Sequence, residues 1–420
     1  MKKHLQIVVM GIMGQFPFGG VAWQVLHYLE GLRRLGCDVW YIEDTGNWPY
    51  DPEANTITDR LDYTLNFMNR LMTWGGFRDR WAYCPPLPNT PSLGLSRSKV
   101  HDVFEQADAL VNLTGSTVLQ EEHLRVPARL YVETDPVLPQ IEVAKGNHYY
   151  MDQLHAHTHH FTYGENIHSP DCRVPVGLFT YFPTRQPVIL EWWSTPTLLP
   201  VDAKVSSPVN EKVSPKAARF TTIASWRQSG KDVEWQGETY TWSKHQEFFK
   251  FIDLPAKSSR SLELALAVKG NWSDDGNTWV PLLQEDAEAL QLLKAHGWTL
   301  ANALTLSKDI LPYRDYILSS RGEFTVAKDQ NVRLQSGWFS DRSACYLAAG
   351  RPVITQDTGF GKNLPTGTGL FAFTTMDDIL EGFNAIDSDY ARHARAAKDI
   401  AQEYFRAEEV LARLLDHAGL

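Results

Sequence analysis

The residues best equipped for chemistry are concentrated in one stretch, Gln335-Ser-Gly-Trp-Phe-Ser340-Asp341-Arg342. It runs on through an apolar helical segment to Ala349-Gly350, a short strand Pro352–Thr355, and the loop Gln356-Asp357-Thr358-Gly359-Phe360. A polar loop that opens a helix at Ser340 leaves free backbone amides and the positive dipole end facing the loop, which suits a diphosphate. Arg342 has the fork to grip phosphate oxygens, or to pair with a neighbouring acid such as Asp341. Asp357 can accept hydrogen bonds from sugar hydroxyls while Thr358 and Gly359 present amides at close approach. A capped helix followed by a plain turn accounts for the same letters.

A second chemical cluster is the run His155-Ala-His157-Thr-His159-His160. On a strand it places His155, His157 and His159 on one face, a pattern that can ligate a transition metal and opens the alternative of a metal-dependent hydrolase. Single cleft or surface histidines fit the run equally. Common fingerprints are missing. Gly11-x-x-Gly14 is not G-x-G-x-x-G, Gly359-Phe-Gly361-Lys362 lacks the P-loop frame, and neither H-E-x-x-H nor G-x-S-x-G occurs.

These residues need a scaffold, and the chain is long enough for two units. Its 420 residues carry 43% hydrophobic and 12% aromatic side chains, which excludes a mainly disordered chain. The net charge of −10 argues against a general nucleic-acid binder. The four cysteines, Cys37, Cys84, Cys172 and Cys345, are scattered, which fits a reducing compartment and a cytoplasmic location. No apolar run of membrane-spanning length is present. Leu5–Met10 reads as a buried strand and not a leader.

The βα rhythm occurs twice. In the first half, the strand at Leu5–Met10 leads through the turn Gly11–Gly20 into a helix stopped by Gly36, then a strand at Asp38–Ile42. Strands are also expected at Ala109–Leu113, Ala128–Val132 and His159–Tyr163. The segment 201–218 is polar, aperiodic and carries two prolines, so it reads as a linker. Beyond it come strands at Phe220–Ala224, Leu262–Val268, Gly322–Ala327 and Pro352–Thr355, and a long closing helix over about Ser388–His417. The expected organisation is an N-terminal acceptor-side domain (1–200), the linker, a second Rossmann-like domain (219–386) and a closing helix (387–420) that packs back on the first domain.

The succession of a helix, Ala349-Gly350-Arg351-Pro352-Val353-Ile354 and an acid/glycine loop resembles the donor half of GT-B-fold glycosyltransferases of the family 1 and family 4 kind. Gly19-Gly20 entering a helix, then Leu35-Gly36-Cys37-Asp38-Val39, resembles the first βαβ unit of that fold. The resemblance implies an α/β protein of two Rossmann-like lobes facing a cleft, with a C-terminal crossover helix. It implies transfer of a sugar from a nucleotide-sugar donor to an acceptor, with no cofactor and no metal. The donor site would comprise Trp226, Lys244, Ser340, Asp341, Arg342, Asp357, Thr358 and Gly359, with Lys328-Asp329-Gln330 near the base pocket. Gly19 and Gly20 would form the acceptor-side loop, and Asp135, after a strand, would be the base. Retaining members often carry two glutamates eight positions apart. The matching positions here are Gly337 and Cys345, so the stereochemical outcome and subfamily do not follow. A catalytically silent binder of the same fold is the remaining alternative.

Overall fold

The computed structural model of the chain describes residues 4–87, 89–194, 219–228, 230–272 and 279–420. The expected linker, 201–218, lies outside them. The first apolar run forms the strand Gln6–Met10, with Ile7 to Met10 fully buried. A strand buried on both faces needs parallel neighbours and helices above and below. Asp38–Glu43 and Ala109–Leu113 flank it in parallel. The sheet continues through Trp81–Tyr83 to the antiparallel edge Leu93–Gly94 on one side. On the other it runs through Ala128–Glu133 and His159–Thr162 to Tyr181–Pro183.

A second sheet has six parallel strands, in the order Thr299–Asn302, Leu262–Ala267, Phe220–Ser225, Gly322–Thr325, Val353–Gln356, Leu370–Phe373. In each sheet the strand order reverses beside the lobe's first strand. The reversals fall between Gln6–Met10 and Ala109–Leu113, and between Phe220–Ser225 and Gly322–Thr325. Connections leave in opposite directions at such a point, so the carboxyl ends of the strands open a crevice there. The fold is the expected α/β pair of Rossmann-like lobes.

One departure from the sequence reading has a tertiary cause. The closing helix is two helices, Tyr390–Tyr404 and Ala407–His417. Val188 of the first lobe interrupts them: its N–H donates to Phe405 O at 2.7 Å and its carbonyl accepts from Ala407 N at 3.0 Å. The last helix then lies on Gly19–Arg34, where Gly31 leaves the space; a Cβ on Gly31 would stand 2.5 Å from Leu411 Cδ1. The aromatic stretch Thr180–Trp193 forms an edge strand and a single turn of 3-10 helix, with Trp192 and Trp193 packed against Trp23. No helix among the described residues is long and apolar enough to cross a membrane.

Candidate active site between the lobes

The carboxyl ends of both sheets converge on a cavity of about 460 Å³. The strand ends and the residues just past them build its walls: Ile12 and Asp135 from the first lobe, Ser225, Ala267, Ala303 and Lys328 from the second. Four cations line it, Lys231, Lys244, Lys328 and Arg342, with a single carboxylate, Asp135. Of the residues expected at the site, Gly20, Asp135, Lys244, Lys328, Ser340 and Arg342 meet here.

Each cation is placed differently. Lys328 crosses the cleft to Asp135 at 2.6 Å and lies 3.2 Å from the centre of the Trp242 ring. Burial holds its amine down to about 8, against the pull of Asp135. Lys231, exposed, stands over the same indole at 4.5 Å. Arg342 is committed within its own lobe. Its guanidinium donates to Glu323 Oε1 (2.5 Å), Ile223 O (2.6 Å) and Thr325 Oγ1 (2.9 Å). Glu323 is fully buried, so this pair is a structural ion pair beside the cavity. Lys244 is 9% exposed and, among the described residues, its side-chain amine makes no hydrogen bond or ion pair. Its amine stands 5.4 Å from the centre of the Trp338 ring. Burial, then Arg342 and Lys328, hold its amine well below the ordinary lysine range.

Two helix starts face this space. The helix Gly19–Arg34 has no side-chain cap at Phe18 and no acid in its first turn, so its leading amides remain available at Gly20 and Val21. Gly19 itself does not line the cavity. It lets the helix approach the second lobe, where a Cβ would meet Asp309 O at 2.8 Å. The helix Asp341–Ala348 starts at Ser340, whose hydroxyl makes no cap bond. Asp341 points away into the lobe interface and accepts from Gln24 Nε2 at 3.3 Å. Burial pushes its carboxyl up to about 7.

The other expected donor residues sit elsewhere. Trp226 is fully buried among His245, Phe248 and Phe249, so its ring packs the core and does not line the cavity. Asp357 accepts from Gly359 N at 2.8 Å, and Thr358 Oγ1 donates to Trp338 O at 2.6 Å. Gly359 O accepts from Asn166 Nδ2 of the first lobe at 3.0 Å. This loop is therefore spent on fastening the lobes and does not line the cavity. Lys231, Tyr313 and Trp338 line the cavity without having been expected there. The Gly230-Lys231 turn was a usable signal for the first. The other two are placed by contacts distant in sequence, such as Trp338 Nε1 donating to Thr134 O at 2.9 Å.

Two competing sites dissolve in the structure. The glycine turn after the first strand is occupied from within: Glu43 accepts from Gly14 N (2.6 Å), Gln15 N (2.5 Å) and Tyr41 Oη (2.7 Å). The histidines of 155–160 do not converge. His157 is buried, with Nδ1 donating to Gln153 O (2.7 Å) and Nε2 facing Asn112 Nδ2 (3.1 Å). His160 donates to Leu154 O at 2.9 Å. Among the described residues, Asp44, Glu122 and His123 form the single group with metal-ligand spacing. His123 Nδ1 accepts from Gln120 N at 3.0 Å, so Nε2 carries the ring hydrogen and has no lone pair to offer.

No family model matches the chain, and no curated protein matches it in sequence. Solved structures match it over its whole length. An α-glucosyltransferase in complex with UDP and a 13-mer DNA aligns over 100% of both chains, with a TM-score of 0.56 and 11% identity. Sucrose-phosphate synthase from Thermosynechococcus elongatus aligns over 99% of this chain and 100% of its own, with a TM-score of 0.52 and 14% identity. HepE of Anabaena, in complex with UDP and glucose, has a TM-score of 0.50 at 11% identity, over 99% and 100%. The chain has the GT-B fold of these glycosyltransferases.

Proposed function

We propose that the protein is a glycosyltransferase that moves a sugar from a nucleotide-sugar to an acceptor, with the donor diphosphate in the cationic cavity between the lobes. One observation carries the reading: Lys244 is a buried amine facing the cavity with no protein counter-ion, among three further cations. A buried cation without a partner is costly, and a bound diphosphate supplies the partner. Lys244, Lys328 and the two helix starts would stabilise the leaving diphosphate, which lets transfer proceed without a metal ion. Asp135, the single carboxylate of the lining, is the base. Lys328 masks it in the closed cleft, and a diphosphate that draws Lys328 away frees it for an acceptor hydroxyl.

UDP is the first nucleotide to test, because two solved proteins of this fold hold it. A thermal-shift panel of UDP, GDP, ADP, TDP and CMP with EDTA present tests the site. A nucleotide at 100 times its dissociation constant adds about 2.7 kcal/mol. Lys244→Met should weaken that nucleotide by about 10- to 100-fold, the worth of one charge-assisted hydrogen bond. Asp135→Asn should keep the shift and lose turnover. No shift with any nucleotide would overturn the reading. Binding with no transfer to saccharide, small-hydroxyl or DNA acceptors would instead support the silent binder. The DNA arm is included because one protein of the fold was solved with it.

A further inference from the structure

The cations of the cleft differ in what balances them. Lys328 has Asp135 and Arg342 has Glu323. Lys231 is exposed to solvent. Lys244 is 9% exposed and, among the described residues, its amine has no counter-ion, so holding a charge there in the free cleft is costly. The groups facing it come from every surrounding element. Arg342 lies at the start of the helix Asp341–Ala348, and Glu323 on the strand Gly322–Thr325. Lys328 follows that strand, Asp135 belongs to the first lobe, and Lys231 and Tyr313 share the cavity wall. Glu323 and Asp135 are the two groups that favour an ammonium, and both already serve another cation. Burial and two positive neighbours act the other way.

We propose that Lys244 is a proton-accepting ligand: a diphosphate enters the cleft together with one proton, which the Lys244 amine takes from solvent. The amine's lone pair forms the new N–H bond, no other bond breaks, and the resulting ammonium faces the phosphate oxygens. This rests on the donor reading above and adds a linkage to it. The empty cleft stays closed without an uncompensated buried charge, and the charge appears only with its counter-ion. The sign follows directly. The bound state holds one more proton than the free state, so affinity falls as pH rises, by about tenfold per pH unit between the two pKa values of the amine.

Titration calorimetry with UDP-glucose at neutral pH, in HEPES and in Tris, reads the proton. The donor's diphosphate is a diester with nothing to exchange at that pH, so the heat difference between buffers reports the protein. Wild type should take up close to one proton per donor bound. Lys244→Arg, which is charged at every working pH, should still bind and lose the buffer dependence. Lys328→Arg should retain it. Equal heats in the two buffers for wild type, or a persistent difference in Lys244→Arg, would overturn the linkage while leaving the donor reading intact. No binding by any nucleotide would sink the donor reading instead. Inorganic pyrophosphate, compared between wild type and Lys244→Arg in the same buffers, then decides the linkage alone, and its failure to bind would end both.

Discussion

The stretch Gln335–Phe360 divides into two regions with opposite tasks. Its helix start faces the cleft through Ser340 and Arg342. Its two glycine turns face the other way and fasten the lobes. Gly337, at φ +78°, donates to Thr358 O at 2.8 Å, and a Cβ on it would stand 2.7 Å from Asn166 N. Gly359, at φ +85°, gives its carbonyl to Asn166 Nδ2. Asn166 Nδ2 also reaches Gln335 O at 3.2 Å, and Asn166 N donates to Ser336 O at 3.0 Å. A single asparagine of the first lobe thus grips both turns. The difference shows why letters that resemble a donor loop do not transfer one by one. Position 337, which matches a glutamate often found in retaining members of the resembled family, is here a glycine, and the neighbouring lobe fills the space a side chain would take. Position 345, the other match, is a buried cysteine whose thiol is held up by burial and by Asp341 and Glu323.

The largest effect should come from the cleft side. Arg342→Ala strands Glu323, a fully buried carboxylate, and should cost about 3–5 kcal/mol in denaturant unfolding. Adding Glu323→Gln should recover part of that loss. Lys244→Met, one wall away, should leave stability unchanged or raise it, since it removes a buried amine that has no partner. If Arg342→Ala unfolds at the wild-type midpoint and only nucleotide binding suffers, Arg342 is a ligand residue and the division drawn here is wrong on that side.

Next comes the fastening side. Gly337→Ala combines a left-handed backbone, roughly 1–2 kcal/mol, with crowding against Asn166, about 1–3 kcal/mol. Gly230 is the matched control. It has φ +84° and nothing within 4 Å of a built Cβ, so Gly230→Ala should show the backbone cost alone. Equal losses in the two variants would mean that the Asn166 contact contributes nothing. Gly337→Glu, which reinstates the glutamate of retaining enzymes, should open the lobes and not create activity.

The same contrast explains what was legible in the sequence. The βα units were, because Leu5–Met10 and Leu262–Val268 are apolar runs punctuated by glycine, and such runs become strands buried on both faces. The cleft followed from the placement of loops after strands. Trp81–Tyr83 and Tyr181–Pro183 were not legible: three residues carry no period, and their neighbours in the sheet make them strands. The break at Phe405–Arg406 has no local signal, since Val188 causes it from more than 200 positions away. His157 looked like a ligand because its partners, the donor Asn112 Nδ2 and the acceptor Gln153 O, become visible only in three dimensions. Asn166 lies past the expected strand His159–Tyr163 with no signal of its own; the grip on Gly359, 193 positions on, is a property of the assembled lobes.

The smallest effect should come from Asn166→Ala, and it bears most directly on whether the two regions act together. The substitution removes the donor that serves Gly359 O and Gln335 O and the acceptor that serves Asn363 Nδ2 at 2.8 Å, but leaves the backbone bond to Ser336 O. Three net hydrogen bonds are worth about 1.5–4.5 kcal/mol, and much of that returns as water reaches the freed groups. The cleft residues are untouched. If fastening the lobes keeps the cavity in its binding form, fewer molecules are competent in the variant, and the apparent affinity for nucleotide drops by that fraction, a few-fold. Saturating nucleotide should then raise the melting temperature of Asn166→Ala by less than it raises that of wild type. A full wild-type shift would show that the cleft holds its ligand without help from the fastening, and the two halves of Gln335–Phe360 would be neighbours in sequence only.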